Sequence, residues 1–350
     1  MGLYVDIAKQ LENFSLRVKF FTEENSAGFL GVPDCGKKIL LDCIAGVAQP
    51  DDGQIILDGR VLFDAEKGIT VSPQKRHIGY LLPGGALFPN MTVRQNILCG
   101  MRLQNNRAAR LKQLETMYDI FSLRDIEKLY PAQLSSVQKQ ETALARILVT
   151  KPRFLLLEEP FSTLDTSQRD TIQFRWQTIA EHLKLPTLWS ACRLADVYGV
   201  CRQLYILDKG HIKRTGAPQS IFEEPDNIAA ARLTDCQNIA AARRIGNYEL
   251  EVPSWGVRLT AARPIPNTLH AVGIRADSFQ MNKLENFLPV ICTKVIEEPL
   301  TQRILFRFPN QAAETPALWW RVPKQQKPRQ FPKALGVARQ DVLLLCRPRR

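Results

Sequence analysis

Apolar and polar side chains alternate from the start of the chain: Leu3, Val5 and Ile7 in one run, then Leu16, Val18 and Phe20 in the next. A period of two marks half-buried strands. The short apolar segment AGFL (27–30) runs into a glycine-containing loop at Gly31. KKILLDCIAG (37–46) predicts a short helix stopped by Gly46. QIILDGRVLF (54–63) predicts a hairpin turning at Asp58-Gly59. Residues 106–130 are polar with spaced apolar positions, which predicts a helical insertion. From 137 to 215 the order is helix, strand, helix, strand, helix, strand, hairpin. Such alternation predicts an α/β core on a mostly parallel sheet.

The texture changes near residue 230. Long helical periods give way to short alternating runs: GVRLT (256–260), HAVGIR (270–275), VICTKVI (290–296), QRILFRF (302–308), LWWRV (318–322) and DVLLLC (341–346). These predict a small all-β domain. The segments 271–275 and 288–296 are expected to be two arms of one barrel, and RPRR (347–350) a solvated basic tail. The domain division expected from this change is 1–230 and 231–350.

Composition narrows the picture only moderately. With 350 residues and 45% hydrophobic content there is enough apolar material for two cores, and a 23% charged fraction excludes a disordered composition. The net charge of +12 favours polyanionic partners, whether nucleotide phosphates, anionic headgroups or nucleic acid, without choosing among them. Eight cysteines stand apart with neither a C-x-x-C pair nor zinc spacing, so free thiols in a reducing compartment are expected. The opening MGLYVDIAKQLENF lacks the charged-then-apolar run of a signal peptide. No apolar stretch is long enough to span a bilayer, so a membrane link is expected through a partner.

The candidate chemistry begins at GVPDCGKK (31–38), between a predicted strand and a predicted helix. G-x-x-x-x-G-K-[ST] in that setting cradles phosphates on backbone N–H groups, with the lysine reaching the outer phosphates. Gly31, Gly36 and Lys37 keep those parts. Lys38 stands where a Ser or Thr hydroxyl would ligate magnesium, and an ammonium has no lone pair to give. Asp34 sets a carboxylate inside the cradle, where it repels an anion.

Further landmarks follow in order: HIGYLLPGGALFPNMTVRQNI (77–97), YPAQLSSVQKQETALARIL (130–148), FLLLEEPFSTLD (154–165) and LYILDKGHIKRTGAP (204–218). Together with the phosphate loop they resemble the ATP-binding subunits of ABC importers. ILDGRVLFD (56–64), PQKRHIGY (73–80), VGIRAD (272–277) and LWWRVPK (318–324) resemble the molybdate class best. The resemblance covers essentially the whole chain. It implies a P-loop ABC ATPase domain, with a parallel-sheet core, a helical insertion and an antiparallel β part, followed by a barrel-like β domain similar to oxyanion-binding (MOP/TOBE-like) appendages. It also implies ATP, Mg²⁺ and a site shared between two head-to-tail subunits.

Carried over residue by residue, the family pattern gives the following. Gly31, Asp34, Cys35, Gly36, Lys37 and Lys38 are the nucleotide loop. Ser135 and Gln138 belong to the signature, which reads LSSVQ with Ser136 and Val137 in place of two glycines. Glu158 stands where the family has the magnesium-ordering Asp, and Glu159 matches the catalytic carboxylate. Pro83 takes the Q-loop glutamine's position and Cys192 the switch histidine's. Ser162, Leu164 and Asp165 keep the D-loop. Phe14 is either an adenine-stacking aromatic or a core residue. Glu141 stands where the family usually has Arg, which is expected to reverse a charge facing the site. An ion pair between Lys38 and Glu158 in place of hydroxyl, aspartate and metal is a further expectation, with magnesium-independent nucleotide binding as its consequence.

The functional expectation by resemblance is the energy-coupling subunit of an importer for molybdate or a related oxyanion. It would lie at the cytoplasmic face of the membrane as a peripheral protein, an ABC-type ATPase with several catalytic residues replaced. The expected partners are a second ATP-binding subunit, transmembrane permease subunits and, indirectly, a periplasmic or extracellular anion-binding protein. A structural or regulatory subunit and an oxyanion-sensing module are the competing readings. A nucleic-acid role has only the net charge behind it and is not expected.

Overall fold

A computed structural model describes residues 2–101, 106–326, 328 and 330–347; residues 348–350 of the expected basic tail lie outside it. The chain divides into two compact units, 1–218 and 219–350. Residues 219–230, read from sequence as the end of the first domain, fold with the second unit.

The first unit opens with β1 (Leu3–Leu11), β2 (Phe14–Thr22) and β3 (Ser26–Leu30), then α1 (Lys37–Ala45). Next come β4 (Asp52–Leu57), β5 (Arg60–Asp64), β6 (Ile69–Thr70), α2 (Pro73–Arg76) and β7 (Ile78–Leu81). The helical insertion is α3 (Val93–Cys99) and α4 (Arg107–Phe121), leading to α5 (Ser136–Leu148). β8 (Phe154–Glu158), α6 (Thr166–Leu183), β9 (Thr187–Ala191), α7 (Ala195–Tyr198), β10 (Gln203–Asp208) and β11 (His211–Gly216) complete it.

Two sheets organise these strands. One is antiparallel, in the order β2-β1-β4-β5-β6. In the other, β11-β10-β3-β9-β8-β7, every pair from β10 to β7 is parallel and β11 adds an antiparallel edge. Helix α1 contributes Leu40, Leu41 and Ile44 to a core shared with Val5, Ile7 and Val18 of the first sheet and Phe29, Leu156 and Leu188 of the second. All three helix side chains are fully buried, and each stabilises by roughly 1.5–3 kcal/mol. The β4–β5 turn has positive φ at both Asp58 (50°) and Gly59 (75°), the conformation that matches the twist of a two-residue hairpin.

The second unit holds α8 (Pro218–Glu223), which straddles the division, and α9 (Ile228–Leu233). Its strands are β12 (Asn238–Ala241), β13 (Arg243–Arg244), β14 (Glu249–Val252), β15 (Val257–Thr260), β16 (Leu269–Ile274) and β17 (Asn286–Pro289). β18 (Ile291–Glu297), β19 (Thr301–Arg307), β20 (Leu318–Pro323), β21 (Ala334–Val337) and β22 (Leu343–Cys346) follow. All pairings here are antiparallel, in the sets β12-β16-β22, β13-β14-β15, β17-β21 and β18-β19-β20. The expected pairing of 271–275 with 288–296 is not seen: β16 lies with β12 and β22, β17 with β21, and β18 with β19. Both segments alternate cleanly, and alternation says nothing about which strand is the neighbour. Trp255, Phe279, Phe306, Phe308 and Trp320 fill a core separate from that of the first unit.

Candidate nucleotide site

In a parallel sheet, functional loops collect at the carboxyl ends of the strands. β3 lies between β10 and β9, and β9 lies beside β8. The residues just past β3, β9 and β8 are Gly31, Cys192 and Glu159, so topology brings these three together.

The loop from Gly31 to Gly36 turns β3 into α1. At Gly31 a Cβ would sit 2.5 Å from the Leu207 carbonyl oxygen, so only glycine fits. Gly36 has φ 109° and a Cβ there would stand 2.8 Å from the Phe14 ring. Phe14 is half-buried, with its ring on Gly36 and against the core. No side chain caps the first turn of α1, which leaves a helix N-terminus of the kind that accepts anions. Asp34 is exposed at φ 59° on the rim of the loop.

Lys37 is 5% exposed and folds back over this loop. Its Nζ donates to the carbonyl oxygens of Gly31 at 2.7 Å and Val32 at 2.9 Å. It also lies 3.4 Å from Glu159 Oε1, 3.2 Å from Cys192 Sγ and 3.9 Å from Cys35 Sγ. The Cys192 thiol donates to the same Glu159 oxygen at 2.9 Å. Burial, followed by that carboxylate bond, pushes the Cys192 thiol up to about 11, so it holds its proton at neutral pH. Burial also raises the Cys35 thiol. Glu159 has φ 39°, a strained value for a non-glycine residue, held by its N–H donating to Ser190 O at 3.1 Å.

A second cluster flanks the first. The Tyr80 hydroxyl lies 2.7 Å from Glu158 Oε2 and 2.9 Å from Asp42 Oδ1. Lys38 Nζ is 3.3 Å from Asp42 Oδ2 and 3.8 Å from Glu158 Oε2. Burial, reinforced by Glu158 and Asp42, raises the Tyr80 hydroxyl well above its ordinary range, so it stays protonated between them. The magnesium implied by the resemblance does not fit this donor set. Magnesium takes oxygen ligands in a near-octahedral shell, whereas the hydroxyl position holds an ammonium and Glu158 Oε2 is already engaged by Tyr80. Among the described residues no group of three or more His, Cys, Asp or Glu is placed to hold a metal ion.

A family model described as "ABC transporter" matches residues 11–162. The molybdenum import ATP-binding protein ModC of Rhizobium etli is 30% identical over 276 residues, 76% of this chain and 77% of that protein. The chain belongs to the ABC transporter family. ModC of Rhodospirillum rubrum is 31% identical over 247 residues, 70% of this chain and 66% of that protein. A sulfate/thiosulfate import ATP-binding protein, CysA 2 of Chromobacterium violaceum, is 34% identical over 238 residues, 68% of this chain and 63% of that protein. The match thus spans less than two thirds of the length of these two relatives, 66% and 63%. An ATP-binding cassette solved as a post-hydrolysis dimer with ADP and Pi aligns with TM-score 0.53 at 19% identity, over 62% of this chain and 99% of that one. That likeness concerns the fold alone.

The remaining family positions of this ABC subunit have local partners in the structure. Ser135 caps α5: its hydroxyl accepts from Gln138 N at 3.2 Å while Gln138 Oε1 accepts from Ser135 N at 2.9 Å. Asp165 accepts from Gln168 N at 2.9 Å at the start of α6, and Ser162 Oγ donates to Glu159 O at 2.8 Å. Pro83 is exposed and opens a one-turn 3₁₀ segment, 83–85. Arg146 pins the end of that turn by donating to Gly85 O and Ala86 O.

Glu141 departs from expectation. It does not face the site; it is 3% exposed inside the helical part and pairs with Arg175 at 2.7 Å. The sequence reading missed Tyr80 and Asp42 altogether. Asp42 was findable, since it lies four residues after Lys38 on one helix face. Tyr80 reaches Glu158 from the neighbouring strand β7, which no local pattern shows.

Proposed function

We propose that this chain is the nucleotide-binding, energy-coupling subunit of an importer for molybdate or a closely related oxyanion, acting at the cytoplasmic face of the membrane with permease subunits and a second ATP-binding subunit. The observation that carries the nucleotide part is the placement of Lys37. It sits within the Gly31–Gly36 loop and 3.4 Å from the carboxylate that follows β8, at the carboxyl edge of a parallel sheet. The class of relatives supplies the anion. No described helix is long and apolar enough to cross a membrane.

Turnover by this chain is slow in this reading. Glu159 Oε1 is shared by an ammonium and a thiol proton, so it is a weakened base for activating water. Cys192 carries no positive charge toward a developing phosphate, and Pro83 offers no side-chain donor. Each missing electrostatic stabiliser costs on the order of 10² in rate. The test is calorimetric titration with ATP alongside phosphate release. Wild-type binding that disappears in Lys37→Ala, with phosphate release below that of a Cys192→His variant, is the expected result. Absence of ATP binding would overturn the reading. Uptake of molybdate against sulfate by vesicles carrying the permease partner then tests the anion.

A further inference from the structure

We infer that Lys38 takes the place of the metal ion, so that this chain binds nucleotide without magnesium. The inference rests on the reading of Gly31–Lys38 as a nucleotide site and goes beyond it by assigning the cation. In a site that uses a metal, the ion is held between outer phosphate oxygens, a hydroxyl at the helix start and a carboxylate at the end of another strand of the same sheet. Here the hydroxyl position is itself a cation, and its Nζ lies 3.8 Å from the Glu158 carboxylate. The same Nζ is 3.3 Å from Asp42, one turn further along α1.

Tyr80 closes the arrangement. Its hydroxyl lies 2.7 Å from Glu158 Oε2 and 2.9 Å from Asp42 Oδ1, so its single proton bonds one carboxylate at a time beside the ammonium. The Lys38 side chain remains 64% exposed, so its head can reach an incoming phosphate from the carboxylates behind it. Lys37, 5% exposed in the same loop, is a second cation on the nucleotide's path. Two ammonium groups thus meet the phosphate charge, and a divalent ion entering beside Lys38 meets like-charge repulsion. A lysine donates three hydrogens in any direction and needs no octahedral shell, which suits it to bridging carboxylate and phosphate oxygens.

The experiment is calorimetric titration of the full chain with ATP, once in EDTA and once in excess Mg²⁺, on the wild type and on Lys38→Ser and Lys38→Met. Wild-type affinity is expected to differ by less than about threefold between the two conditions. Lys38→Ser is expected to lose about tenfold or more in EDTA and to recover it with Mg²⁺, and Lys38→Met to lose it in both. A wild type that binds about tenfold more tightly with Mg²⁺ would overturn the inference while leaving the nucleotide reading intact. Equal affinities for wild type and Lys38→Met would overturn it as well. Failure of the wild type to bind under either condition would overturn both readings.

Discussion

Glu141 carries a charge at a place where water hardly reaches. It is 3% exposed, and burial raises its carboxyl to about 7 although Arg175 pulls the other way. The raised value favours the neutral acid in the folded state. Its contribution to stability is therefore fully present below about 4.5 and is lost as the pH climbs through about 7. The amount at stake is roughly 3 kcal/mol. Replacing Glu141 by Gln should flatten the fall of unfolding free energy between mildly acidic and neutral pH, as urea titrations at several pH values would show; an unchanged slope would mean the ion pair dominates. Cys192 gives a second test at this scale. With its thiol near 11 against an ordinary 9.0, iodoacetamide should modify it roughly 10² times more slowly than a free cysteine at neutral pH, read by peptide mass mapping. Labelling as fast as that of an unhindered thiol would show that the Glu159 contact is not maintained. Glu141 was partly legible: Leu144, Ala145 and Leu148 follow at spacings of three, four and seven, so helical periodicity alone puts it on the buried face of α5.

Helix α1 shows how much of an element local sequence specifies and where that stops. Its start at a glycine loop and its stop at Gly46 are written in KKILLDCIAG, and Gly46 does adopt the left-handed conformation at φ 84°. What holds its last turn is not written there. Arg76 Nη1 donates to the Cys43 and Ile44 carbonyls, both at 2.8 Å, and its Nε donates to Val71 O. Those helix carbonyls lie 33 and 32 residues away in the chain, beyond the reach of any capping pattern. Arg76 is 2% exposed, and its guanidinium is received by backbone carbonyls at the helix C-terminus. Arg76→Met keeps the bulk but removes three donated bonds, so that Cys43 O keeps only Gly46 N at 3.2 Å and the Ile44 and Val71 carbonyls lose the guanidinium, at a cost on the order of 3 kcal/mol. Equilibrium urea unfolding should show that loss, and ATP affinity should fall with it because α1 carries the loop. A near-neutral Arg76→Met would mean that Gly46 alone suffices. The same limit explains Tyr80. The strand HIGY was readable, but its pairing beside β8, which delivers the hydroxyl to Glu158, comes only from the sheet order.

At the scale of the molecule, each unit has its own core, and the division falls at 218/219 rather than at 230. The helical residues 219–233 look from sequence like a continuation of the α/β alternation. In space Ala231 and Cys236 pack with Ala271, Leu343 and Leu345, residues more than 30 positions further along the chain. Composition shifts register a change of strand content, and two short helices serving a β unit hide its beginning. Separate cores make separate unfolding possible, and the nucleotide loop lies wholly within 1–218. Nucleotide at about 100 times its dissociation constant adds roughly 2.7 kcal/mol to whatever state binds it. For a unit of this size that corresponds to a rise of roughly 5–10 °C in its transition. Scanning calorimetry of the full chain should therefore resolve two transitions, with ATP moving one of them and leaving the other in place. Residues 219–350 expressed alone should reproduce the transition that does not move. A single transition that ATP shifts as a whole would mean that the two cores unfold together, and nucleotide binding would then stabilise the β unit through its neighbour.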